Sequence, residues 1–320
     1  MLPGFVMAAC CIACGSRTAL LTGKDVITRE TEKASEAGSG AAAGGVPGVG
    51  GMPASADAGP VQPIYVADDT GLLSRFVPSN ASFTPVGHIE CWPDAGTIPS
   101  AMAVDRSGTI YLVYGDTRAG YRADRVDAAN ASCGQSVVSS QIASINPNGM
   151  AFSADPSGRG ETLYGLVLDS RTFAELVSID VGTFAANPIA ELFNPATQVG
   201  DGYPPQGSIT QLTGSGLGDL FEIGLGQGLA PSYVLNRVDR ATGILTTITV
   251  GDVSGDVMTA IPAAAAAYWG GDIYVFGMGR PLRDASEVIR IGLGSRSAAH
   301  VGRYPGAIVR AAVPTTAPAR

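Results

Sequence analysis

From residue 63 to residue 314 short apolar runs alternate with short polar ones, and the pattern repeats. Residues 233–251, YVLNRVDRATGILTTITVG, read as a strand, a polar turn and a second strand. The LNRVDR core of this stretch (235–240) has partners in LSRFVP (73–78), ADRVDA (123–128), LVSIDV (176–181) and VIRIGL (288–293). The aligned apolar residues are Phe76, Val126, Ile179, Val238 and Ile291, spaced by 50, 53, 59 and 53 residues. Arg75, Arg125, Arg237 and Arg290 precede four of them, and Ser178 interrupts the series. Self-similarity at such a period marks a repeat architecture.

Each copy extends upstream. A second set of pairs recurs at Ile64-Tyr65, Ile110-Tyr111, Leu163-Tyr164, Leu220-Phe221 and Ile273-Tyr274. Before these come AMAVD (101–105), GMAFS (149–153), SITQL (208–212) and AAAAYW (264–269). FTPVG, ILTTITVG and SAAHVG follow the template as a fourth strand, and DRSG, DPSG, GSGLG, WGGD and RATG supply the turns. A four-stranded sheet that is apolar on both faces must be covered on both faces. Radial stacking of such sheets does this, so the predicted fold is an all-β propeller. The Ala-rich first strands suit the crowded centre where blades converge. The first unit starts at Ile64 without an innermost strand, and the chain ends in GAIVRAAVP (306–314), a strand without followers. Together they make one blade from both termini, which leaves the ring no open edge. The prediction is about five four-stranded blades, with six if residues 193–207 hide strands. Two stacked sandwiches would not need the period.

The N-terminus adds an address. Residues 1–14, MLPGFVMAACCIAC, are apolar and too short to span a bilayer, but they fit a signal-peptide core. Small residues before a cysteine resemble a bacterial lipobox at Cys11-Ile12-Ala13-Cys14. The resemblance implies lipidation of Cys14, with Cys10 the alternative at Met7-Ala8-Ala9-Cys10. The departure is that no Lys or Arg precedes the apolar run. A metal site of Cys10, Cys11 and Cys14 lacks a completing ligand nearby. Residues 15–62, poor in large apolar side chains and ending Gly/Ala/Pro-rich, read as a flexible tether. The organisation is then a signal segment (1–14), a tether (15–62), the propeller (63–314) and a tail (315–320). It implies an exported protein, held by a lipid anchor in the bacterial cell envelope, at the outer membrane.

The other two cysteines, Cys91 and Cys133, lie in adjacent units. Export would oxidise them to a disulfide; two buried thiols are the alternative.

Composition narrows the function. The net charge is −8 and charged residues make up 15%, so with no basic run the chain is not built for nucleic acid. The two histidines, His88 and His300, fall in different units, and no G-x-S-x-G elbow occurs. GSGLGD and GLGQG lack a phosphate-binding spacing and read as strand turns. Asp68-Asp69, Asp105, Asp116, Asp252 and Asp256 read as turn carboxylates, and the sequons at Asn80 and Asn130 as exposed turns.

The anchor motif ACGSRTALL, the stretch CWPDAGTIPSAMAVDRSGTIYLVYGD, the Cys133 repeat and AYWGGDIYVFGMG resemble a group of myxobacterial lipoproteins with a propeller domain. The resemblance spans most of residues 8–312; it implies the address and brings no chemistry. The C-terminal VPTTAPAR departs from the group. More locally, NPNGMAFSADPSGRGETLYG (146–165) is similar to a blade of the gluconolactonase-like propellers. That likeness implies a divalent-metal ligand at Asn148. The matching positions offer Ser100, Ser208, Ala264 and Ala307, so one ligand of four is present, and a hard cation needs several. A turn residue before a strand is the plainer role for Asn148. The reading is therefore a monomeric binding module without cofactor, which meets a protein or glycan on a propeller face. A metal-dependent lactonase-like hydrolase using the central channel is the alternative, and a structural envelope protein the third.

Overall fold

A computed structural model describes residues 62–93, 97–116, 120–138, 147–168, 174–193, 195, 211–226, 232–250, 264–278 and 285–318. The regular structure among them is twenty strands in five four-stranded antiparallel sheets. Blade 2 is β4 (Ala101–Val104), β5 (Thr109–Asp116), β6 (Gly120–Asp127) and β7 (Val137–Val138). Blade 3 is β8 (Pro147–Ala154), β9 (Glu161–Leu168), β10 (Ala174–Ile179) and β11 (Ala186–Glu191). Blade 4 is β12 (Gln211–Gly214), β13 (Leu220–Gly226), β14 (Ser232–Val238) and β15 (Leu245–Ile248). Blade 5 is β16 (Ala264–Trp269), β17 (Asp272–Met278), β18 (Ser286–Gly292) and β19 (Ser297–Tyr304). Blade 1 joins the two ends of the propeller: β20 (Ile308–Ala312) pairs with β1 (Ile64–Asp68), followed by β2 (Leu72–Val77) and β3 (Ser82–His88). The first strands of the sheets touch in a closed cycle, β20–β4–β8–β12–β16–β20. This is the five-bladed propeller expected from the period, closed by the C-terminal strand.

The described apolar core falls into five clusters, one at each blade seam. Alternation along β1 shows why. Ile64 and Val66 pack toward blade 5, while Tyr65 and Ala67 pack toward blade 2. A strand sends successive side chains to opposite faces, so a blade with two apolar faces serves two seams. The inner strands approach closely, and small residues allow it. A Cβ on Gly214 of β12 would stand 2.0 Å from the Phe152 carbonyl oxygen of β8, and one on Gly149 would stand 2.7 Å from the Leu212 nitrogen. Ala265, Ala266 and Ala267 of β16 are buried in the same ring.

Cys91 and Cys133 form a disulfide, joining the segment that leaves blade 1 to the outer part of blade 2. Beyond β20 the chain crosses the face that carries the first-to-second strand turns. Thr315 is 6% exposed and its hydroxyl donates to Glu161 of blade 3 and meets Arg106 of blade 2. Its carbonyl lies against Gly216 of blade 4, and the Pro318 carbonyl accepts from the Gly270 N–H of blade 5. Residues 313–318 thus tie the turns of four blades together.

Candidate functional site

The arginine series sorts the seams. Arg75 of β2 donates through Nη2 to the Ala128 and Ala129 carbonyls of blade 2, at 3.3 Å each. Arg125 of β6 donates to the Val181 carbonyl of blade 3 at 2.6 Å. Each of these arginines stitches its own blade to the next. Arg237 of β14 does not; it turns back and pairs with Asp219, at the start of β13 in its own blade. Arg290 of β18 likewise faces Asp272 of its own blade at 3.8 Å, and burial raises the Asp272 carboxyl above the ordinary carboxylate range. In sequence, Asp219 and Asp272 stand directly before the apolar pairs of blades 4 and 5, where blade 2 has Thr109. A carboxylate at that position claims the arginine for its own sheet.

A cleft lies at the seam between blades 4 and 5. Its volume is about 420 Å³, against about 180 Å³ for the cavity at the seam between blades 1 and 2, where Arg75 reaches across. Phe221 and Tyr268 lie at its floor, stacked with centroids 5.3 Å apart and an interplanar angle of 11°. Both are buried, at 4% and 5% exposure. Arg237, Asp219, Thr246 and Thr247 of β15, and Thr249 just after it, line one wall. Leu293 and Arg296, from the turn between β18 and β19, line the other. Leu217 stands at the rim, 68% exposed. The Arg296 backbone adopts φ 53°, held by its N–H on the Gly292 carbonyl at 2.8 Å, and its side chain has no carboxylate partner among the described residues. An aromatic floor with convergent donors and acceptors is the usual chemistry of a small-molecule site, and the volume lies within the usual range.

The residues singled out in the sequence lie elsewhere. Cys10 and Cys14 are outside the described residues. Asn148 lies in β8 at the shift of register against β9, and its side chain is outside the described part. The five inner strands carry no Asp, Glu, His or Cys in their sequences, so they offer a hard cation no carboxylate. Among the described residues no group of three or more His, Cys, Asp and Glu could hold a metal. Of the turn carboxylates, Asp252, Asp256 and the Asp116 side chain lie outside the described residues, while Asp68 and Asp105 are engaged locally. Asp105 Oδ1 accepts from the Ser107 and Thr109 N–H groups, and Asp68 Oδ1 from those of Thr70 and Leu72. Asn80 and Asn130 accept from the N–H of Ser82 and Ser132, with Ala81 and Ala131 at positive φ. His300 pairs with Glu287 at 2.6 Å on the outer strands of blade 5.

No family model and no curated protein matches this chain. Solved structures show likeness of fold. The SapL1 lectin in complex with α-methyl fucoside aligns at 13% identity and TM-score 0.47, over 79% of this chain and 85% of that one. A protein of unknown function from Dyadobacter fermentans DSM 18053 aligns at 12% identity and TM-score 0.44, over 76% and 73%. At these identities and scores the likeness carries no argument about ligand.

The cleft residues form no catalytic motif in the sequence. Phe221 and Arg237 appeared there as parts of the repeat. Tyr268 sat in a strand read only as an inner one. One signal was available: an Asp directly before the second strand's apolar pair in two of the four units that keep the arginine.

Proposed function

We propose that this protein is a binding module that receives a hydroxyl-rich ligand, a mono- or disaccharide unit of a glycan, in the cleft between blades 4 and 5. The observation that carries the reading is the unstitched seam: Arg237 is held on Asp219, and the space it vacates has an aromatic floor. A sugar presents both kinds of surface. Its C–H face packs on aromatic and aliphatic side chains, and its hydroxyls pair with Arg, Asp and Thr. Arg237 held by Asp219 is pre-organised, so little side-chain entropy is lost on binding. The lipid anchor on Cys14, or Cys10, and the envelope address belong to this proposal as sequence inferences. They suit a module that presents its cleft to glycan at a cell surface.

The alternative hydrolase reading rests on Asn148, and the inner strands give that residue no carboxylate companions. The test is a glycan array probed with the wild type and with Arg237→Ala. We expect a restricted set of sugars to bind wild type and lose at least tenfold in affinity in the variant. Equal binding by both proteins, or none by the wild type, overturns the cleft as the site.

A further inference from the structure

The five inner strands read AMAV, PNGMAFSA, QLTG, AAAAYW and IVRAA, and they contain one charged residue, Arg310. It sits in the middle of β20, opposite Ala67 of β1. Protein atoms crowd its guanidinium on most sides, while the residue keeps a small accessible area. Nη1 donates to the adjacent Val309 carbonyl at 2.5 Å. Nε is buried and has no hydrogen-bond partner, and Nη2 makes no bond to any described residue. No carboxylate faces it among the described residues: burial alone acts on it, pushing its pKa down to about 10.

A second inner strand carries a matching deficit. Gln211, first residue of β12 and 4% exposed, has its Nε2 buried without an acceptor. Two buried donors on the ring of inner strands thus lack acceptors. An unpaired buried cation is costly, and buried charges are ordinarily paired. A planar guanidinium with free N–H groups matches a carboxylate or phosphate.

We propose that the propeller's central channel is an anion site with Arg310 as its anchor, taking a small oxyanion of the carboxylate or phosphate type. Gln211 is a second donor available on the inner ring. The site is separate from the cleft between blades 4 and 5. Its basis is the absence of any other charge on the inner strands.

The test uses the full-length protein in a zwitterionic buffer at constant ionic strength, titrated with inorganic phosphate, acetate or chloride. Melting temperature is read for wild type and Arg310→Met. For wild type we expect a saturable rise of about 5–10 °C at a hundredfold excess over Kd with phosphate or acetate. Chloride should give less, and Arg310→Met should give no response to any of the three. In the anion-free buffer Arg310→Met should melt no lower than wild type, because the substitution removes an unpaired buried charge. Equal responses of the two proteins, or none in wild type, overturn the proposal. The comparison of phosphate with acetate assigns the class of oxyanion. Should Arg310→Met fail to fold, the Nε–H resonance of wild-type Arg310 decides: a saturable shift on adding either oxyanion supports the site, and an unmoved signal overturns it.

Discussion

Removing β20 should open the ring. Residues 306–320 include Ile308, Val309, Ala311, Ala312 and Val313, all buried, at 1%, 8%, 3%, 7% and 6% exposure. Burial of the three larger side chains contributes about 2 kcal/mol each, and the alanines add less, for a total near 7 kcal/mol. The ladder to β1 and the Thr315 contacts are lost as well. A domain of this size has about 5–15 kcal/mol in all, so the loss is of the order of the whole. At about 2–4 °C per kcal/mol, the melting temperature should fall by ~14–28 °C or the cooperative transition should vanish. The assay is circular-dichroism melting of the full chain and of the chain ending at Pro305. The truncated chain should regain its transition when a peptide of residues 303–320 is added, since β1 is left as a bare edge. A truncated chain that melts within about 3 °C of the full one would refute the closure argument.

Other expectations follow from the same geometry. Cys133→Ser should lower stability by about 2–4 kcal/mol under oxidising conditions, because it opens a loop whose ends are 42 residues apart, and dithiothreitol should bring wild type to the same denaturation midpoint. Gly214→Ala should cost about 1–3 kcal/mol, since its Cβ would lie 2.0 Å from the Phe152 oxygen, while Gly294→Ala, with nothing within 4 Å, should be near neutral by urea denaturation. Burial first, with Asp105 adding to it for Tyr111, raises Tyr111 and Tyr304 to about 12. The unfolded phenols ionise near 10, so the unfolded chain loses protons first and stability should fall as pH rises above about 10. Tyr304→Phe should flatten that fall in urea midpoints measured against pH. Asp180 and Asp239 are held below the ordinary carboxylate range by N–H donors of their own turns, Thr183 and Gly182 for the first and Ala241 and Thr242 for the second. Their stabilisation is present above the unfolded pKa and lost as pH falls through the folded one. Carboxyl NMR titration should show both protonating later than free Asp on acidification.

The ring was legible in the sequence because a propeller writes its period into the chain. Phe76, Val126, Ile179, Val238 and Ile291 occupy the same place in five sheets, and each is buried. The closing strand was legible because Ile64 had no inner partner and residues 306–314 had no followers. The disulfide was legible because adjacent blades bring Cys91 near Cys133. The cleft was not, because it arises from a choice of partner. Arg75 and Arg237 look alike in the sequence, and only the structure shows one reaching forward and the other turning back to Asp219. Nor does the alternation of β13 and β16 tell which apolar residues will stack, so Phe221 on Tyr268 came as a product of packing. Arg310 was hidden for a similar reason, since an arginine in a strand reads as an exposed position until the ring closes around it.

The measurement that tests the central claim most directly is the structure of the protein with a sugar selected on the glycan array. The account predicts the sugar between blades 4 and 5, its C–H face over Phe221 and Tyr268 and its hydroxyls on Arg237, Asp219 or Arg296. A sugar seated on another seam or in the channel, with this cleft unchanged, would contradict it.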